Sequence, residues 1–260
     1  MAARVNTASE ASAFFRRQLR ASGSRGRAAA AKAYLKSDLI FWGADLPAIR
    51  AAIQEFCRAH PSLSRSQLRA VAESLYRADV HELRAAAIGV LECERATLID
   101  RDLPWLIALV RRSKTWAYVD WIAPKVIGDV IARYPRAKSL LVGWSNDDDF
   151  WVRRTALLAE HDALRRGAGD FVLWSRVAAT MLDEREFFIR KAIGWVLREV
   201  SKKRPELTFA FLREHRAHVS SLSLQEGAKY LSASQRRALG LPAEASWIER
   251  ERRRKVAGAR

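Results

Sequence analysis

Two cysteines, Cys57 and Cys93, are all that 260 residues carry, and they lie far apart in the sequence. Neither has a Cys or His at ligand spacing, so no disulfide framework and no zinc site is indicated, and a reducing, cytoplasmic compartment fits. Proline (7) and glycine (12) are scarce and strand-type alternation is rare, which argues against the turn-rich all-β classes. No apolar run approaches the roughly 20 residues that cross a bilayer, and the N-terminus lacks the apolar core and cleavage pattern of a secretory signal. A membrane partner is therefore not expected. A glycine-rich phosphate loop is missing too, which argues against a nucleotide cofactor and an energy-coupled function. Acid is also short: 29 Asp and Glu face 46 Lys and Arg, a formal net charge of +17. Such a surface favours polyanionic partners, nucleic acid first among them.

What is present is helix. Ala, Leu, Arg and Glu dominate, and 49% of the residues are apolar, enough for an extended core. A short pattern of one apolar residue followed by charged and small residues recurs at Ile49-Arg50-Ala51-Ala52-Ile53, Leu83-Arg84-Ala85-Ala86-Ala87, Val119-Asp120-Trp121-Ile122-Ala123, Val152-Arg153-Arg154-Thr155-Ala156 and Ile189-Arg190-Lys191-Ala192-Ile193. Successive starts are 34, 36, 33 and 37 residues apart, the period of stacked helical pairs. Partner helices are expected near Ser64 to Tyr76, Leu103 to Arg112 and Phe171 to Leu182, separated by turn signals such as His60-Pro61-Ser62 and Gly167-Ala168-Gly169. The fold expected is all-α: a right-handed superhelical solenoid of HEAT-like repeats with a concave basic face. Residues 1–235 form one domain of five to six helical pairs. A helix over Glu10 to Arg20 leads into a flexible basic joint at Gly23-Ser24-Arg25-Gly26, and 236–260 form a basic, frayed tail.

The position after each apolar anchor reads Arg50, Arg84, Asp120, Arg153, Arg190. Residues in one register line one face of a solenoid, and four arginines in a row suit a phosphate backbone. Singly, each reads more readily as a solvated surface residue paired with a nearby Glu, and it is the shared register that shifts the balance. Asp120 interrupts the row. A salt bridge to Arg84 or Arg153 is one explanation; the other is a functional carboxylate, because Trp116 stands one turn earlier and Trp195 belongs to a later repeat. Two tryptophans flanking a carboxylate on a basic face form a site for a cation. Trp105, Trp144 and Trp174 are expected in the core. Asp147, Asp148 and Asp149 diverge along the chain and read as a helix N-cap rather than a metal site. The five histidines form no ligand or triad pattern and read as surface or loop residues.

The runs Trp116-Ala117-Tyr118-Val119-Asp120, Gly128-Asp129, Asp149-Phe150-Trp151-Val152-Arg153-Arg154 and Glu186-Phe187-Phe188-Ile189-Arg190-Lys191-Ala192-Ile193-Gly194-Trp195-Val196-Leu197-Arg198-Glu199 resemble the DNA alkylation repair enzymes of the AlkD type. Those are HEAT-like-repeat DNA glycosylases. The resemblance covers about residues 10 to 235, and the last run is its most specific part. It implies hydrolysis of the N-glycosidic bond of cationic alkylated purines, 3-methyladenine and 7-methylguanine, in double-stranded DNA, without a metal or other cofactor and without base flipping. Trp116, Asp120 and Trp195 match the catalytic cleft of the family and Arg154 a DNA-contacting position. Ala33-Tyr34-Leu35-Lys36 and Phe41-Trp42-Gly43 match the segment where the family places an aromatic near DNA. Arg153, Arg190, Lys191 and Arg84 complete the set expected to bind DNA. Thr115 departs from the pattern, standing where the family often has a second tryptophan, and the basic tail is longer. The expected state is a monomer. Two other classes fit the composition: a non-catalytic repeat protein that recognises bent or branched DNA, and a protein-binding scaffold.

Overall fold

The computed structural model describes residues 2–243. Among them the protein is all-helical, with no strand beyond a lone bridge between Ile40 and Val80. Contacts divide the chain into two compact units, Met1–Lys138 and Ser139–Arg260.

In the first unit the helices are α1 (Ala2–Ala21), α2 (Arg25–Leu35), α3 (Leu46–Ala59), α4 (Arg65–Tyr76), α5 (His81–Cys93), α6 (Leu103–Arg111), α7 (Trp116–Ile122) and α8 (Gly128–Arg133). Their starts are written locally. Asp45 caps α3, its carboxylate accepting from the Ala48 amide at 2.9 Å, and Pro47 occupies the first turn, where no N–H is needed. Ser64 and Gln67 form a capping box at α4. α5 is the central element, packed by α3, α4 and α7, and its residues from Glu82 to Leu91 are all buried. Gly89 allows this. A β-carbon there would lie 2.1 Å from Ile53 Cδ1, so the Ile53 side chain from α3 fills the space that glycine leaves on α5.

The second unit holds α9 (Leu140–Trp144), α10 (Phe150–Leu158), α11 (His161–Arg165), α12 (Phe171–Ala179), α13 (Phe187–Ser201), α14 (Pro205–Glu214), α15 (Ser221–Gly227) and α16 (Ala233–Ala238). Here α13 is central, packed by α10, α11, α14 and α15. Asp149, Asp170 and Glu186 cap α10, α12 and α13 through side-chain acceptors, so the Asp147-Asp148-Asp149 run does end in an N-cap. Ser220 and Ser232 do the same for α15 and α16.

The five apolar anchors Ile49, Leu83, Val119, Val152 and Ile189 are all buried, as their common register requires. Trp105 and Trp174 are in the core; Trp144 is half-buried. One expectation fails in the first unit. The supposed flexible joint is an ordered turn: α2 begins at Arg25, Gly26 lies inside it, and Gly23 packs so tightly that a β-carbon would come 2.4 Å from the Trp42 carbonyl. Of the tail expected over 236–260, residues 236–243 are described. There Arg236 is buried, donating to the carbonyls of Pro242 and Ala228, each at 2.8 Å. Residues 244–260 lie outside the described residues.

Candidate active site

The stretch carrying Trp116 and Asp120 is α7. Thr115 supplies its N-cap, Oγ1 accepting from the Ala117 amide at 3.4 Å, so the residue that departs from the family pattern has a local structural use. Four residues separate Trp116 from Asp120, placing both on one helical face. Pro124 follows within the same helical run. It brings no N–H for the Asp120 carbonyl, and the chain responds with a π-helical turn over Ala123–Ile127, in which the Gly128 amide reaches back to the Ala123 carbonyl. The helix thus widens three residues beyond Asp120.

In front of α7 lies a cleft of about 540 Å³ walled by α2, α3, α5 and α7, all within the first unit. Tyr34, Leu46, Arg50, Glu92, Trp116 and Asp120 line it, with Trp121 and Lys125 beside them. Tyr34 is 73% exposed, yet its ring meets Trp116 edge-on at 5.6 Å. That pair makes an aromatic lip, the placement that ring quadrupoles favour. The Arg50 guanidinium lies over the Trp121 ring at 5.6 Å, and the Trp121 indole N–H donates to Glu92 Oε2 at 2.6 Å. The cleft therefore combines aromatic faces, two half-buried carboxylates and basic groups.

Its floor is fixed from α5. Glu82 is 1% exposed and accepts from the amides of Trp42 (3.0 Å) and Gly43 (2.7 Å), pinning the 36–45 loop whose end, Gly43 to Asp45, forms part of the wall. The His81 ring stacks on Phe41 at 4.7 Å, and its Nδ1 lies 2.8 Å from Tyr118 Oη. Tyr118 Oη–H can donate to the His81 carbonyl at 3.2 Å, and an Nδ1–H tautomer then satisfies the phenol oxygen. Burial lowers the His81 pKa to about 4 and raises that of the Tyr118 hydroxyl, so both are neutral near pH 7.

The remaining predicted positions divide sharply. Trp42 does not line the cleft; its ring lies under Arg20 at 4.8 Å. Arg84 is buried, with its guanidinium on the carbonyls of Ala78 (2.9 Å) and Arg112 (3.0 Å) and on Asp79 (2.9 Å). In the second unit Arg154 is buried and donates to the Phe188 carbonyl. Arg153 makes a fork with Glu184 (2.8 and 2.9 Å) and donates to the carbonyls of Asp147 and Asp148. Arg190 donates to the Glu184 carbonyl at 2.7 Å, and Lys191 lies 3.7 Å from Glu226. A guanidinium buried on backbone carbonyls serves the fold, as Arg84 does within the arginine register and Arg154 does one position beyond it. Trp195, on α13, is half-buried and packs against the His161 ring at 4.5 Å.

Sequence reasoning missed His81, Glu82, Glu92 and Trp121. The histidines are corrected on one more count: His161 is buried, not a surface or loop residue. The cysteines, distant in sequence, are neighbours in space, one helical turn beyond the Ile53–Gly89 contact of α3 and α5. The interaction of the two thiols raises the Cys57 pKa and lowers that of Cys93. Among the described residues no group of three His, Cys, Asp or Glu is placed to hold a metal ion, and no helix is long and apolar enough to cross a membrane.

Fold and cleft together define a helical-repeat protein with a carboxylate set among aromatic and basic groups. The chain belongs to the DNA alkylation repair enzyme family, whose pattern it matches over residues 15–231. It is similar to a solved structure described as a predicted DNA alkylation repair enzyme from Enterococcus faecalis, with 25% identity and a TM-score of 0.70, over 81% of this chain and 97% of that one. No curated protein matches it. The expectation of a DNA repair enzyme of this family, with DNA as its substrate, is met.

Proposed function

We propose that the protein is a DNA glycosylase that hydrolyses the N-glycosidic bond of cationic alkylated purines, 3-methyladenine and 7-methylguanine, in duplex DNA. The observation that carries this is the pairing of Asp120 with the Tyr34–Trp116 lip in one cleft. A purine alkylated at N3 or N7 bears a positive charge and leaves as a neutral base, because the electron pair of the C1′–N bond cancels that charge. Such a leaving group needs no protonation. What the reaction needs is stabilisation of the cationic sugar as the bond breaks, and a carboxylate held in a part-apolar cleft supplies it. Asp120 takes that role. Tyr34 and Trp116 offer ring faces that favour a cationic base and sugar, about 0.5–2 kcal/mol each.

Because Asp120 acts at the sugar, the base can remain outside a deep pocket, in contrast to enzymes that read a flipped base edge. Trp195 is assigned its part in the reaction by the family resemblance. Arg50, Arg153, Arg190 and Lys191, which are not fully buried, engage phosphates, exchanging internal partners for charge-assisted bonds. Arg84 and Arg154 support the backbone from which those contacts are made, and Trp42 acts through the loop it belongs to. No metal or other cofactor is needed for this chemistry, and one protomer suffices.

The test is release of free 7-methylguanine from alkylated duplex. Asp120→Asn is expected to bind undamaged duplex as well as or more tightly than the wild type while its release rate falls by roughly 100-fold or more, the scale of losing one preorganised electrostatic group. Unchanged release in that variant would remove Asp120 from the mechanism.

A further inference from the structure

Hydrolysis of a glycosidic bond makes two demands on an enzyme. Positive charge on the sugar must be balanced as the base departs, and the water that attacks C1′ must give up a proton. Glycosidases use two carboxyl groups, one to protonate the leaving group and one to activate water or attack the sugar; a base that is already cationic removes the first task and leaves sugar charge and the water's proton to be met. Under the proposed function Asp120 meets the first demand, and it does so only while ionised. A carboxylate that took the water's proton would lose the charge that stabilises the sugar.

The cleft holds a second carboxylate suited to the other task. Glu92 comes from the last turn of α5, lines the same cleft as Asp120 and is half-buried. It is not loosely placed. Trp121, the residue after Asp120 on α7, donates its indole N–H to Glu92 Oε2 at 2.6 Å, and the Arg50 guanidinium covers the Trp121 ring. Asp120 and the donor that holds Glu92 are consecutive residues of α7, so one helix contributes both the first carboxylate and the anchor of the second, and both carboxylates line one cleft. Trp121 occupies one oxygen, and a carboxylate has a second, Oε1, to accept from water. A cleft of about 540 Å³ has room for that water beside a nucleotide.

We propose that Glu92 is the proton acceptor for the attacking water, resting on the glycosylase reading above. The C1′–N bond breaks with its electron pair going to the alkylated base. The water oxygen bonds to C1′, and its proton passes to Glu92 Oε1. Asp120 stays ionised throughout. Trp121 is a positioning residue that sets the direction of the Glu92 carboxylate.

Single-turnover release of 7-methylguanine from an alkylated duplex, with the full-length protein, tests this. Glu92→Gln keeps an acceptor for Trp121 but cannot take a proton; it is expected to lower the rate by roughly 100-fold or more, the scale of a lost general base, with affinity for the alkylated duplex unchanged. Glu92→Ala is expected to be as slow and to recover many-fold on addition of formate, a small carboxylate that can enter the space left. Trp121→Phe keeps the ring and removes the N–H, and its release rate is expected to fall between those of wild type and Glu92→Gln. Release at the wild-type rate by the Gln and Ala variants, or no response of Glu92→Ala to formate, would overturn the role of Glu92 and leave the glycosylase reading standing. A wild-type protein that released no base would overturn that reading and this proposal with it.

Discussion

Glu82 offers the sharpest test of how the cleft is built. Its carboxylate is buried and faces the amides of Trp42 and Gly43, Oε1 lying 2.7 Å from the second and Oε1 and Oε2 lying 3.0 and 3.1 Å from the first. Substitution Glu82→Gln keeps the shape and one acceptor oxygen but removes the charge. Hydrogen bonds to a charged acceptor contribute about 1.5–3 kcal/mol and neutral ones about 0.5–1.5. Two amides that lose charge assistance therefore cost about 2 kcal/mol. Glu82→Ala removes the acceptor altogether; two amides without a partner at about 1–3 kcal/mol each, with the space left behind, cost about 4 kcal/mol or more. In a chain of this size each kcal/mol lowers Tm by about 2–4 °C. The expected falls are about 4–8 °C for Gln and about twice that for Ala, read by far-UV circular dichroism during thermal unfolding. Both variants should also release base more slowly, because the 36–45 loop supplies the Gly43 to Asp45 wall. A Glu82→Gln protein melting within about 1 °C of the wild type would refute the argument, since charge-assisted bonds of this kind cannot be lost at no cost.

Stability should also fall in acid as His81 is forced to take a proton. Burial holds its folded pKa at about 4 against the ordinary 6.5, so the unfolded chain binds the extra proton first, and the contribution present above pH 6.5 is lost between pH 6.5 and 4, about 3 kcal/mol in all. His81→Gln, which keeps a polar group toward Tyr118, should flatten that part of the urea-denaturation profile by about one proton's worth of slope. Cys93 should react with iodoacetamide before Cys57 at mildly alkaline pH, because the interaction with Cys57 lowers the Cys93 thiol and the same contact raises its partner; peptide mapping after brief exposure reads the order. Gly43→Ala should destabilise more than Glu82→Ala in the same melting assay, since φ is +81° and a β-carbon would lie 2.1 Å from the Ser24 carbonyl oxygen.

The sequence carried the helical frame because burial has a period. Ile49, Leu83, Val119, Val152 and Ile189 recur at helical-pair spacing and all five are buried, so the residue after each anchor was a sound place to look for function. There the pattern stops being informative. At the same register position Arg50 is exposed over Trp121, Arg84 is buried on backbone carbonyls, and Asp120 lines a cleft. Periodicity fixes which way a side chain leaves its helix; it does not say whether a loop carbonyl or a solvent-filled cleft waits there. An arginine has five donors and a long stem, so the carbonyls of Ala78 in the preceding turn and of Arg112, 28 residues on, decide its use. Glu82, His81 and Glu92 were hidden for the same reason, because their partners Trp42, Tyr118 and Trp121 come from other elements.

Local chemistry was legible where the partner is also local. Trp116 and Asp120 share a face by helical spacing alone, and Thr115 and Asp149 cap their helices within two residues. Pro124 belongs to the same class, and it carries the argument one step further. A proline four residues after Asp120 takes away the amide that would close the helix on the Asp120 carbonyl, and the π-helical turn at Ala123–Ile127 absorbs the mismatch. Asp120 therefore sits on the last regular turn of α7, three residues before its helix widens. Pro124→Ala restores the missing amide and is expected to tighten the turn towards α-helix, shifting Asp120 in the cleft and lowering the rate of 7-methylguanine release; release at the wild-type rate in that variant would show that the turn has no part in the site.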